Sequence, residues 1–206
     1  MLEHKPTRVN AKTQKNANSC SWASRNQRNW TADFLFAEGQ HRVDLLNQAA
    51  PDFFGKLQVM LWENVVLHLC RMTDPPQSMG HDNLTIMRIP DQIPDPAIGP
   101  FVKQLVDDAK QKTQFARDWR NRRLAHHELP RLQGHGATPL TPGSRQNVED
   151  ALDALRKAMN HIEQRYLKAA VRYDLTIEAL GGVESLIERI TIGLEAEKRE
   201  RDRELE

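Results

Sequence analysis

Residues 144–166 read SRQNVEDALDALRKAMNHIEQRY, and this stretch decides the fold class. Val148, Leu152, Leu155, Met159, Ile162 and Tyr166 recur at steps of four, three, four, three and four. That is a heptad seam, which a helix buries by lying lengthwise against a neighbour. Ser144 stands where an N-cap belongs, so its side-chain oxygen is placed to accept from a backbone N–H of the first turn.

Working outward from that helix, the same periodicity returns on both sides. Phe54, Leu57, Leu61, Val65, His68 and Met72 recur at threes and fours, with Phe53, Met60 and Leu67 on an adjacent face. An apolar surface this wide predicts a centrally buried helix. It stops at Thr73-Asp74-Pro75-Pro76, because two prolines cannot continue the hydrogen-bond ladder. A shorter helix is expected from near Asp33 to Ala49, ended by Pro51, and another from Phe101 through Val102, Leu105, Val106, Ala109, Phe115 and Trp119. Six of the eleven prolines fall in 74–100, which predicts a long irregular loop with a short helix near Asn83 to Ile89. A second loop runs from Pro130 to Ser144. Gly181-Gly182 marks a break before a last helix carrying Val183, Leu186, Ile187, Ile190 and Leu194. No strand is evident. The fold class is therefore all-α, an antiparallel helical bundle of four to five main helices.

Three segments follow. Residues 1–30 carry Lys5, Arg8, Lys12, Lys15, Arg25 and Arg28 against the single acid Glu3, a basic arm too polar to bury a core of its own. Residues 31–195 form the bundle. Residues 196–206 are almost entirely charged with alternating sign, a solvated helical tail. The formal net charge is only +1, so any field that attracts a nucleic acid has to be local. No run approaches the roughly 18 consecutive apolar residues of a membrane span. Cys20 and Cys70 make neither a disulfide framework nor a zinc pattern, and the first residues lack the apolar centre of a secretory signal, so the expected compartment is the cytoplasm.

The local field lies at residues 117–128, RDWRNRRLAHHE. Arginine presents a fixed cationic fork suited to phosphate oxygens, and histidine exchanges a proton near neutral pH. Together they supply what cleavage of RNA by its own 2′-hydroxyl needs: a base, an acid, and positive charge on the crowded phosphorane. The ordinary alternative is that the arginines pair with acids at a helix end and the histidines sit at a surface.

The run Arg120-Asn121-Arg122-Arg123-Leu124-Ala125-His126 resembles the HEPN motif, an arginine followed by four to six residues and a histidine, with a polar residue after the arginine. Its surroundings sharpen the likeness. Leu61-Trp62-Glu63, then Leu69-Cys70-Arg71-Met72-Thr73-Asp74-Pro75-Pro76, then Asn83-Leu84-Thr85-Ile86, then Trp119 to His126, are together similar to the abortive-infection U-type branch of HEPN proteins. The resemblance spans roughly residues 35–195 and leaves the basic arm out.

It implies a bundle that forms a homodimer, so that two motifs face one cleft. It also implies a metal-independent endoribonuclease of phage defence or toxin–antitoxin growth arrest, leaving 2′,3′-cyclic phosphate ends. Some members instead keep the fold and only bind RNA or proteins. On this chain Arg120 would stabilise the phosphorane, His126 would act as base or acid, and Asn121 would orient the phosphate or the motif. Arg117, Arg122 and Arg123 would bind RNA. No cofactor or metal is expected; the expected partners are RNA, a second copy of the chain and an antitoxin protein, and no membrane.

Helical phase complicates the histidine. At about 100° per residue, Arg120 and His127 are nearly eclipsed, whereas His126 diverges from Arg120 by about 120°. His126 stands first by pattern and His127 is held in reserve. Glu63 is a candidate to brace Arg120 or His126, although an ordinary salt bridge or exposure serves as well. His68 reads as a core histidine and Asp74 as a turn or cap residue.

Overall fold

The computed structural model describes residues 39–93, 95–124, 140–168, 171, 173 and 182–206. Those residues are overwhelmingly helical. The helices are α1 (Gln40–Ala49), α2 (Pro51–Thr73), α3 (Gly99–Lys112), α4 (Gln114–Trp119), α5 (Arg145–Leu167) and α6 (Val183–Glu204). Pro51 both stops α1 and opens α2. Its missing N–H costs nothing at the first position of a helix, where that donor would be an orphan in any case.

The chain divides into two compact units. The first takes its described residues from 65–174 and contains α3, α4, α5 and the last part of α2. Here α3 and α5 pair most extensively, and they run antiparallel. Phe101 at the start of α3 meets His161 near the end of α5, with ring centroids 4.8 Å apart. At the opposite end Lys112 Nζ lies 3.9 Å from Asp150 Oδ2. The buried face of α5 is centred on Ala151, Ala154 and Ala158 with Leu155, Met159 and Ile162. The expected seam residues Val148, Leu152 and Tyr166 are only half-buried. The buried face of α5 is thus lined by alanines as well as by seam residues, and on α3, with which it pairs, Val102, Val106 and Ala109 are buried. Ser144 caps α5 in a reciprocal box, with Asn147 N donating to Ser144 Oγ at 3.1 Å and Ser144 N donating to Asn147 Oδ1 at 3.0 Å.

Between α2 and α3 the expected loop is more ordered than its prolines suggested. Gln77–Ser78 (β1) pairs antiparallel with His81–Asp82 (β2), the only strands among the described residues. Met79 and Gly80 both take positive φ, 49° and 80°, as a two-residue hairpin turn requires. The short helix expected near Asn83 to Ile89 takes the form of two 3-10 turns, Ile86–Arg88 and Pro90–Gln92. The first is capped by Thr85 Oγ1, which accepts from Met87 N at 3.2 Å.

The second unit takes its described residues from 39–64 and 182–206: α1, the first part of α2, and α6. Leu46 and Phe54 are its buried centre, with Leu57, Leu61, Val183, Ile187 and Ile190 packed on them. Arg42 Nη1 reaches Glu184 Oε1 at 3.1 Å. The apolar breadth of α2 overstated its burial in this part, since Phe53 and Met60 are 58% and 64% exposed. An apolar stripe marks a burial tendency, and surfaces routinely carry apolar residues that no neighbour covers. The charged end of α6 stays helical to Glu204 and exposed throughout, with Arg199 and Glu195 paired across one turn. Among the described residues no helix is long and apolar enough to cross a membrane.

In urea unfolding, Leu155→Ala is expected to cost about 3 kcal/mol through the cavity it leaves. Ser144→Ala should cost about 1 kcal/mol through the lost cap. The reverse ranking would mean that the α3–α5 contact does not hold the first unit together.

Candidate functional site

The site is built on the C-terminal end of α2. The last carbonyls of a helix have no partner within it, and here Pro75 and Pro76 bar any continuation. Groups distant in sequence satisfy them instead. Thr85 Oγ1 donates to Met72 O at 2.8 Å, and Arg117 Nη2 donates to Thr73 O at 2.7 Å. Asn83 Nδ2 donates to Pro75 O at 2.9 Å, and Asn83 N donates to Pro76 O at 2.8 Å. The Thr73 hydroxyl is buried 2.9 Å from that of Thr113, the residue at which α3 gives way to α4.

Asp74 adds a carboxylate to this already negative helix end, an arrangement that needs cations. Two arginines from α4 and its extension supply them. Arg120 Nη1 donates to both carboxylate oxygens, at 2.7 and 2.9 Å. Arg117 Nη2 lies 3.7 Å from Asp74 Oδ1 and also donates to Thr73 Oγ1 at 3.0 Å. Arg117 Nη1 is buried with no hydrogen-bond partner among the described residues. Arg120 is held a second time by its Nε, which donates to Asn121 Oδ1 at 3.1 Å. Its Nη2 makes no hydrogen bond within the described residues, and about a quarter of the side chain is exposed. The result is a clamped guanidinium with one donor edge uncommitted among the described residues.

Arg120–Leu124 form a π turn that continues directly from α4. Such widened turns are rare and recur at functional sites. The constant step of about 100° per residue, on which the case for His127 rested, therefore does not hold across the motif. Arg122 Nη1 pairs with Asp118 at 3.3 and 3.5 Å. Arg123 is exposed, with its guanidinium carbon 5.2 Å from the centre of the Trp119 ring. Trp119 Nε1 donates to Thr141 O at 2.9 Å, and Thr141 N donates to Asp118 Oδ2 at 2.8 Å. The chain thus returns at Thr141 to the two residues that precede Arg120. The Thr141 backbone N–H, with its hydroxyl and Arg122, holds the Asp118 carboxyl below its ordinary value.

Of the residues singled out in the sequence, Arg117, Arg120, Asn121, Arg122 and Arg123 lie along this one short stretch. Arg117 and Arg120 turn towards Asp74, Arg122 turns towards Asp118, and Asn121 and Arg123 are exposed. His126 and His127 lie outside the described residues. The carboxylate that braces Arg120 is Asp74 and not Glu63, a role its place before two prolines concealed. Thr141 was also missed, because a backbone contact leaves no mark on residue type. His68 is half-buried, and burial followed by the nearby Arg71 charge lowers its pKa. Cys70 is fully buried beside the arginines. Burial pushes its thiol up to about 11, and the pull of Arg120 and Arg117 towards the thiolate does not offset it.

Two outcomes follow from these environments. Cys70 should resist alkylation in the native protein at neutral pH and react after unfolding, read by mass mapping of its peptide. Asp118 stabilises the fold through a depressed pKa, so its contribution is complete above the ordinary value of 3.8 and is lost as pH falls through the folded-state value. Asp118→Asn should therefore lower neutral-pH stability by about 1 kcal/mol and flatten the acid limb of a stability–pH curve. An unchanged acid limb would remove Asp118 from the linkage.

A HEPN family model described as AbiU2 matches residues 11–182. The match begins inside the basic arm, earlier than the expected limit near residue 35, and ends at Gly182, just before α6. None of the curated proteins and none of the solved structures matches the chain. A family model that covers most of the chain, over a helical framework with a clamped arginine at the motif position, places this protein in the AbiU2 family of HEPN domains.

Proposed function

We propose that the protein is a metal-independent endoribonuclease of HEPN type, acting in phage defence or toxin–antitoxin growth arrest. The observation that carries this reading is the Arg120 guanidinium, fixed by Asp74 and Asn121 with its Nη2 edge left over. A donor held in advance, aimed where charge develops, stabilises a transition state without the cost of reorganising. In the proposed reaction a histidine of the motif, His126 first and His127 in reserve, removes the 2′-hydroxyl proton. The 2′-oxygen attacks the adjacent phosphorus, and the 5′-oxygen leaves with a proton from a second histidine. The products are a 2′,3′-cyclic phosphate and a 5′-hydroxyl.

A homodimer presenting two motifs to one cleft supplies both histidines, one as base and its mate as acid. Asn121 orients Arg120, and Arg122 and Arg123 meet the RNA strand. Arg117, expected among the RNA-binding arginines, supports Asp74 from behind and so helps to hold Arg120. An antitoxin protein is the natural regulator of such an activity.

One observation favours the second reading, a non-catalytic RNA-binding module: Asp74 already neutralises much of the Arg120 charge. The two readings separate on single-stranded and transfer RNA in EDTA, with cyclic-phosphate ends as the readout. His126→Ala should lower the rate by at least about a hundredfold, and Arg120→Ala by a similar factor. Asp74→Asn should lower kcat by about tenfold or more with little change in KM, because it loosens the guanidinium and touches no substrate. RNA binding without cleavage by the wild type across these substrates would favour the binding module. Full activity of His126→Ala would move the role to His127.

A further inference from the structure

Arg117, Arg120 and Arg122 all spend hydrogen bonds on a carboxylate or a backbone carbonyl. Arg123 spends none among the described residues and is exposed. Its guanidinium carbon lies over the Trp119 ring, 5.2 Å from the ring centre, a cation–π contact. That indole is fixed in turn, since its Nε1 donates to Thr141 O and Thr141 N donates to Asp118. A clamped indole therefore carries an exposed guanidinium whose N–H groups have no partner among the described residues. It stands three positions beyond Arg120, on the same π turn.

We infer that Trp119 and Arg123 form a nucleobase-stacking subsite beside the phosphate-binding Arg120. A planar guanidinium backed by an aromatic ring takes an unpaired base on its outer plane, while its N–H edges reach the base or the neighbouring phosphate. A lysine at this position keeps the charge and loses the plane. A base can stack here only when it is free of a duplex, so the ligand class is single-stranded RNA, or a loop, with an unpaired base next to the phosphate that Arg120 holds. The subsite rests on the reading of Arg120 as a phosphate ligand, and it assigns Arg123 contact with a base.

The test measures binding, so it does not depend on cleavage. A single-stranded oligonucleotide with 2′-O-methyl riboses cannot be cut by its own 2′-oxygen. Its affinity, read by fluorescence anisotropy, is compared with that of the same backbone without bases and with a fully paired duplex. The wild type should bind the base-bearing strand about tenfold more tightly than either comparator. Arg123→Lys should bind the base-bearing and base-free strands alike, and Trp119→Phe should fall between the two proteins. Equal affinity of the wild type for both strands, a full base preference retained in Arg123→Lys, or no binding to any of the three would each overturn the subsite. A protein that shows the base preference but does not cut unmodified RNA keeps the subsite and loses the catalytic reading. One that cuts RNA without any base preference does the reverse.

Discussion

The C-terminal end of α2 is the constraint around which the first unit is organised. A helix that stops against two prolines leaves several carbonyls to be satisfied, and Asp74 adds a full negative charge to the same place. An unmet buried carbonyl costs about 1–3 kcal/mol, so the fold has to bring donors to this point. It brings Thr85 and Asn83 from the ordered loop, Arg117 from α4 and Arg120 from its extension. The hairpin, the 3-10 turns and the break at Thr113 are the routes by which those donors arrive. The arginine that defines the candidate site is thus also part of the solution to a helix-termination problem. Its charge and position serve the fold whether or not RNA is present.

That double role explains why the arginines are not equivalent. Arg117 is turned inward, and its Nη2 serves Thr73 and Asp74 together. Arg120 is held from two sides and keeps one edge without a partner among the described residues. Arg122 belongs to the Asp118–Thr141 contact, and Arg123 to the face of Trp119. A bare count of positive charges would treat all four as one basic patch. Their contacts divide them into an interior brace, a clamped donor, a strut and an exposed cation over an aromatic ring, and each division predicts a different result on substitution.

The Asp118–Thr141 and Trp119–Thr141 bonds bear on the same site from the other direction. They fix where the chain re-enters after the segment that contains His126 and His127. They do so through the two residues directly before Arg120, and this ties the position of the return to that of the catalytic candidate. The π turn that begins at Arg120 abandons the regular step of an α-helix at this same place. Both features belong to tertiary packing, and neither follows from local preference.

The sequence by itself determined the helical class, the position of the arginine–histidine motif, the stop at Pro75-Pro76 and the cap at Ser144. Each of these depends on local covalent facts: a repeat of 3.6 residues, a ring without an N–H, a short side chain able to reach the third residue. It also carried enough of the family pattern to identify the HEPN branch. What it could not determine was partnership. Whether Asp74 or Glu63 would brace Arg120, and which residues of α5 would be buried, depended on which surfaces met. So did the exposure of Phe53 and Met60. Composition is blind to such choices because a carboxylate forty-six positions away looks the same as a near one until the chain has folded back on itself. The phase of the histidines against Arg120 was the sharpest case. A uniform helix favoured His127, the motif favoured His126, and the π turn withdrew the premise on which the first of these stood.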